Sequence, residues 1–152
     1  MSPRYKPNTT VATVIHCSGK FLLVEEWIDG QIRYNQPAGH LEANETIIAA
    51  CKREVLEETG LNITPSGLVG IYQFTAANDV AFVRFSFCVE LPVQVTAIPQ
   101  DSAITATHWF TRDEISSKST QMRSPLVLKS IDDFLDQQGQ HYPLDVLNAD
   151  YF

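Results

Sequence analysis

At 152 residues, 44% of them apolar, the chain is long enough to bury one substantial core. Eleven Lys and Arg stand against eighteen Asp and Glu, a formal net charge of −7. That balance argues against a nucleic-acid polymer or an anionic membrane as partner, since both select basic surfaces. A small phosphorylated substrate stays open, because a bound cation inverts the local field.

Residues 1–8 carry two prolines and read as an irregular lead-in, without the apolar core of a signal segment. Val11 to Cys17 is β-branched and apolar, Ser18-Gly19 turns, and Lys20 to Ile28 resumes as a second strand. Asp29-Gly30 is a strong two-residue turn signal, and Gln31 to Asn35 returns as a short strand. Gln36-Pro37-Ala38-Gly39 then breaks regular structure. Next comes an acidic helix, capped near Asn44 with Glu45 in its first turn, and ending at Thr59-Gly60. Two further strands, Gly70 to Ala77 and Val80 to Leu91, flank a turn at Asn78-Asp79; the second is apolar on both faces and so covered on both. Ala103 to Phe110 is a last strand. Thr111 and Glu114 form a capping box for a short helix, and a longer helix covers Pro125 to Gln137, with Leu126, Leu128, Ile131, Phe134 and Leu135 available for packing. Strands around a central helix, with helices at the end, predict an α/β fold: a mixed sheet between helices in one domain over 1–152, with 1–8 and about 145–152 peripheral.

Within the acidic helix, Glu54, Glu57 and Glu58 crowd into one turn beside Arg53. Like charges at this spacing repel, so a hard divalent cation is the natural counterpart. At 100° per residue Ile47, Ile48, Cys51 and Val55 share the buried face. Glu54 and Glu58 then lie on its shoulder, Glu57 further toward solvent, and Arg53 nearly away from the core. A solvated charge run would centre all three glutamates on the exposed face; here two border the core, where a cleft would be. Cys17, Cys51 and Cys88 are odd in number and lack metal spacing, which reads as reduced, buried thiols in a cytoplasmic protein.

From Gly39 the chain runs five residues to Glu45, then seven to Arg53-Glu54-Val55-Leu56-Glu57-Glu58-Thr59-Gly60-Leu61. This resembles the Nudix hydrolase signature at every fixed position. The resemblance implies an α/β/α sandwich that hydrolyses a diphosphate-type bond with Mg2+ or Mn2+. It implies Glu54, Glu57 and Glu58 as principal metal ligands, the Gly39 carbonyl as a fourth, and Arg53 as an orienting group. Glu45 reads equally as a catalytic group or as a charge at a helix N-terminus. A further carboxylate base would come from Asp101 or Glu90, or from Glu57 or Glu58 itself. Asn35 to Glu42, Phe82-Val83-Arg84-Phe85, Arg123 to Val127 and Tyr142-Pro143-Leu144 further resemble the NudJ branch. That branch implies release of orthophosphate from nucleoside di- and triphosphates, and from thiamine pyrophosphate or its hydroxymethylpyrimidine pyrophosphate precursor. In one departure, Ala103 stands where the branch has a second acid in the Asp101-Ser102 loop.

Arg84 and Arg123 are candidate substrate contacts; for Arg84, an ion pair with a helix carboxylate is the structural alternative. Trp27, Tyr34, Tyr72 and Phe74 either stack on a substrate ring or belong to the core. His40 adjoins the motif and otherwise reads as an exposed turn residue. Two other functions stay open: pyrophosphatase action on nucleotide sugars or dinucleoside polyphosphates, and nucleotide binding without catalysis. A monomer and a homodimer are equally compatible with the chain.

Overall fold

Both early turns have positive φ at each central residue, 49° and 79° at Ser18-Gly19 and 52° and 75° at Asp29-Gly30. That backbone matches the twist of tight hairpins. In this computed structural model, which describes residues 2–152, the turns join β1 (Asn8–Cys17), β2 (Lys20–Ile28) and β3 (Gln31–Asn35). β1 and β2 pair only beside their turn, at His16↔Phe21 and Cys17↔Lys20, and then part. β2 goes on between β3 and β7 (Ile104–Thr111), antiparallel to both. β1 instead runs parallel to β6 (Ala81–Glu90), from Asn8↔Phe82 to His16↔Glu90, and β5 (Gly67–Thr75) lies antiparallel on the far side of β6.

The edge of β1 that β2 leaves is taken by β4 (Ala38–His40), at Thr10↔His40 and Ala12↔Ala38. The expected break at Gln36–Gly39 is therefore shorter than the sequence suggests. Thr13 N–H donates to the Pro37 carbonyl at 3.0 Å and Leu41 N–H to the Thr9 carbonyl at 3.0 Å, so the ladder resumes directly after the proline.

Alternate residues of the central strands feed two layers. On one face α1 (Ile47–Thr59) packs Ala50 and Cys51 on Val11 and Phe87, and Val55 on Ile15 and Leu22. On the other, α2 (Arg112–Ser117) and α3 (Leu126–Asp136) pack Ile115, Val127 and Ile131 on Val14, Leu23 and Cys88. The result is the α/β/α sandwich expected. Burial of a side chain such as Val55 contributes about 1.5–3 kcal/mol.

The helix termini repeat the sequence reading with one change. Gly60 closes α1 with φ 74°, its N–H on the Leu56 carbonyl at 2.8 Å, and α2 opens with the Thr111–Glu114 capping box. The cap of α1, however, is Thr46, whose hydroxyl accepts from Ala49 N–H at 3.1 Å; Asn44 sits in a turn at φ 65°. Glu45 consequently precedes the helix. Leu135 does not pack: it is 42% exposed, while Ile131 and Phe134 pack on the sheet and Leu126 is buried. The C-terminal stretch pairs Tyr142 with Leu68 and lays Leu144 and Leu147 against the α1 layer, leaving Tyr151 and Phe152 exposed. Among the described residues no helix is long and apolar enough to cross a membrane.

Candidate active site

Position 39 has no side chain of its own, and the space beside it is taken by a carboxylate. A Cβ built there lies 2.1 Å from Glu54 Oε1 and 2.5 Å from its Oε2, so the shoulder of α1 presses a carboxylate directly onto the β4 backbone. One turn on, Glu58 Oε1 accepts from Ala38 N–H at 2.8 Å. Two acids of α1 thus meet β4 at successive residues, Glu58 at Ala38 and Glu54 at Gly39.

Arg53 does not point away from this cluster, as helix geometry alone suggests; its long side chain curls back into it. Nε and one terminal nitrogen fork onto Glu45 at 2.8 Å each, and that nitrogen also donates to the His40 carbonyl at 2.9 Å. The other nitrogen donates to Glu54 at 2.7 Å and Glu57 at 3.3 Å. Glu45 also accepts from Glu42 N–H at 2.8 Å. Its charge therefore ties the β4–α1 loop to the helix, which replaces the helix-terminus role considered above.

Electrostatics divide the acids. The hydrogen bonds from Arg53 hold Glu45 below the usual carboxylate range, and Glu45 in turn raises Arg53. Burial raises Glu54 despite Arg53. Burial pushes Glu58 up to about 8, against the Ala38 N–H and with help from Glu54, Glu26 and Asp101. Glu58 is 6% exposed and has no cationic side chain bonded to it. A buried carboxylate of this kind gains most from a hard cation.

The donor set suits such an ion: carboxylate oxygens of Glu54, Glu57 and Glu58 around the exposed backbone of Gly39. Among the described residues no three acidic, His or Cys side chains converge as they stand at ion-holding distance. Glu54 and Glu57 are instead turned onto Arg53, which is anchored independently of them by its bonds to Glu45 and His40.

Asp101 comes to the cluster through its backbone. Gln100 and Asp101 N–H both donate to the Glu57 carbonyl, at 2.9 and 2.8 Å, docking this loop on the end of α1. The Asp101 carboxylate accepts from Ala103 N–H within its own turn at 2.9 Å. Glu90 lies away from the cluster: it pairs with His16 at 2.7 Å, five residues along β6 from Phe85, which shares the Val11 level with Gly39, or about 17 Å of strand.

On the α3 side of β4 lies a cavity of about 330 Å3, lined by Gly39, His40, Phe74, Phe82, Arg84 and Arg123 among others. Arg84 is 8% exposed and makes no ion pair with a helix carboxylate. It donates instead to Gln36 at 3.0 Å and Asn35 at 3.3 Å. Arg123 pairs with Glu26 at 3.3 Å. The two tyrosines do not join them. Tyr34 is buried edge-on against His108 and Phe110 in the core, and Tyr72 donates to Asp133 of α3 at 2.7 Å. Sequence reasoning overlooked Glu26, Asn35 and Gln36 as site residues; a carboxylate following an apolar run in a strand was the one available signal for Glu26.

A family model described as the NUDIX domain matches residues 4–130. Proteins named phosphatase NudJ, from Escherichia coli strain K12 and Shigella boydii serotype 4, are each 45% identical over 143 residues, covering 94% of this chain and 92% of theirs. A solved NUDIX hydrolase from Nitrosomonas europaea is 46% identical, with a TM-score of 0.85 over 95% of this chain and 97% of its own. The MutT protein of Methanosarcina mazei shares the fold at 19% identity, with a TM-score of 0.70 over 90% of this chain and 99% of its own. The chain belongs to the Nudix hydrolase family, in the branch of the NudJ phosphatases.

Proposed function

We propose that the protein is a Mg2+- or Mn2+-dependent phosphohydrolase that releases orthophosphate from nucleoside di- and triphosphates and from thiamine pyrophosphate or its hydroxymethylpyrimidine pyrophosphate precursor. The observation that carries this reading is the pair Glu54 and Glu58 pressed onto the backbone of β4 at Gly39, with Glu57 beside them. These three and the Gly39 carbonyl would hold the ion. When bound, it neutralises phosphate oxygens and lowers the pKa of an attacking water.

The remaining roles fall to residues around that centre. Arg53 orients Glu54 and Glu57 from its anchor on Glu45 and His40. Asp101, whose backbone docks on the Glu57 carbonyl, would take the proton from water. Arg84 and Arg123 face the substrate from the neighbouring cavity. Three free, buried thiols fit a reducing cytoplasmic setting.

A screen of nucleotides and thiamine pyrophosphate, scoring orthophosphate and pyrophosphate separately, tests the reading. Orthophosphate with either metal is expected. Mononucleotides from a dinucleoside polyphosphate, without orthophosphate, would indicate a pyrophosphatase instead. Tight nucleotide binding without turnover would indicate a non-catalytic binding protein.

A further inference from the structure

Phe74 and Phe82 are aromatic side chains that the cores do not use. Both are half-buried, and among the described residues neither belongs to any of the three apolar clusters. They are directly opposed across β5 and β6. Their planes lie within 20° of parallel, with centroids 6.5 Å apart. From the β4 side the His40 ring comes to 6.5 Å from Phe82. All three rings line the cavity of about 330 Å3, and so does Gly39, one residue before His40. That volume is at the small end of small-molecule sites. A ligand with its phosphates at the Gly39 carbonyl therefore meets an aromatic surface within the same cavity.

The polar side chains around these rings are engaged with the protein itself. Asn78 accepts from Val80 N–H at 3.2 Å, and Ser124 accepts from Leu126 N–H at 3.2 Å. Arg123 pairs with Glu26 at 3.3 Å. Arg84 gives its Nη2 hydrogens to Gln36 at 3.0 Å and Asn35 at 3.3 Å, and its Nε is buried. It supplies charge to the cavity rather than a fork for the edge of a ring. What the lining offers a ring is chiefly apolar: the two phenyl groups, with Ala76, Val80 and Leu126 around them.

We propose that Phe74 and Phe82, continued by His40, form the ring subsite of the substrate, which takes a heteroaromatic ring by its face and leaves its edge unread. This rests on the phosphohydrolase reading above and deepens it, since one such floor serves every substrate class named there. Purines, pyrimidines and the aminopyrimidine of thiamine pyrophosphate differ at their edges, but each presents a π-face, and stacking on a face tolerates any of them. The thiazolium ring of thiamine pyrophosphate is a cation, which the face of a phenyl group attracts as well.

Calorimetry with Mg2+ tests this apart from turnover, using the α,β-methylene analogues of ADP and GDP, whose P–C–P link is not hydrolysed. Methylenediphosphonate is the probe without a ring. Phe82→Ala should weaken both nucleotide analogues by about 5- to 150-fold, the range for one base–aromatic stack, and leave methylenediphosphonate within about 2-fold. Phe82→Tyr keeps the stacking face and should retain the nucleotide affinity. Phe74→Leu keeps apolar bulk without a π-face; it should show the same pattern with a loss of about 2- to 12-fold, and it carries the test if Phe82→Ala does not fold. Unchanged affinity for the nucleotide analogues in either folded variant would overturn the assignment. So would an equal loss on all three probes, which would make the rings structural, or a loss confined to one of the two bases, which would mean that the edge is read. Absence of orthophosphate release from ADP while the ring-dependent pattern holds would instead overturn the phosphohydrolase reading.

Discussion

Gly39→Ala adds one methyl at the point where α1 meets β4. Gly39 is outside the left-handed region, so alanine meets no backbone penalty and the effect comes through contact alone. The new Cβ would lie 2.1 Å from Glu54 Oε1, where ordinary contact begins at 3.4 Å; the carboxylate must retreat by roughly 1.3 Å. Glu54 ends a flexible side chain, so the cost to folding is small. Loss of part of its 2.7 Å bond to Arg53 costs about 1 kcal/mol, partly offset by the lower entropy of the unfolded chain. Catalysis should suffer more, because a group misplaced by about an ångström costs on the order of 100-fold in rate. Melting temperature, steady-state orthophosphate release and Mn2+ titration would be measured together. The expected result is a near-native melt, a large fall in kcat and weaker metal binding. A double-mutant cycle sharpens it: if the methyl acts through Glu54, adding Glu54→Gln should lower activity little further. Wild-type kcat and metal affinity in Gly39→Ala would refute the placement of Glu54 at the reacting centre.

Two other predictions concern groups around the cluster. Arg53→Ala strips the counter-ion from Glu45 and Glu54, whose side chains are 13% and 12% exposed; the melt should show a loss of about 2–4 kcal/mol, and an unchanged melt would contradict the hub role. Burial pushes the Cys51 and Cys88 thiols up to about 11, so at pH 8 only about one in a thousand is ionised. Native protein should leave both unmodified by a thiol reagent until denaturant is added; rapid labelling under native conditions would contradict their burial.

Local chemistry was legible in the chain. Gly60 as a left-handed stop, the Thr111–Glu114 box and the two early turns each rest on a few neighbouring residues whose conformational needs are strong. The helical periodicity likewise placed Glu54 and Glu58 at the margin of the core. What escaped was set by distant contacts. β4 exists because β1 and β2 diverge and leave an edge, which no local signal announces. Arg53 was misdirected because helix geometry aims Cβ, while a long side chain follows its carboxylates. Arg84 stood out as a cation in an apolar strand, but its partners are neutral amides fixed by α3. Tyr34 and Tyr72 looked equally available from sequence, and only the third dimension turns one into the core and the other onto Asp133.

The central claim, that three glutamates of α1 and a divalent cation carry the chemistry, is tested most directly by Glu57→Gln. Its side chain is 44% exposed, so the change should alter stability by no more than about 0.5 kcal/mol. Orthophosphate release in Mg2+ should nearly vanish while the melt stays native. Retention of wild-type release by the folded variant would contradict the account.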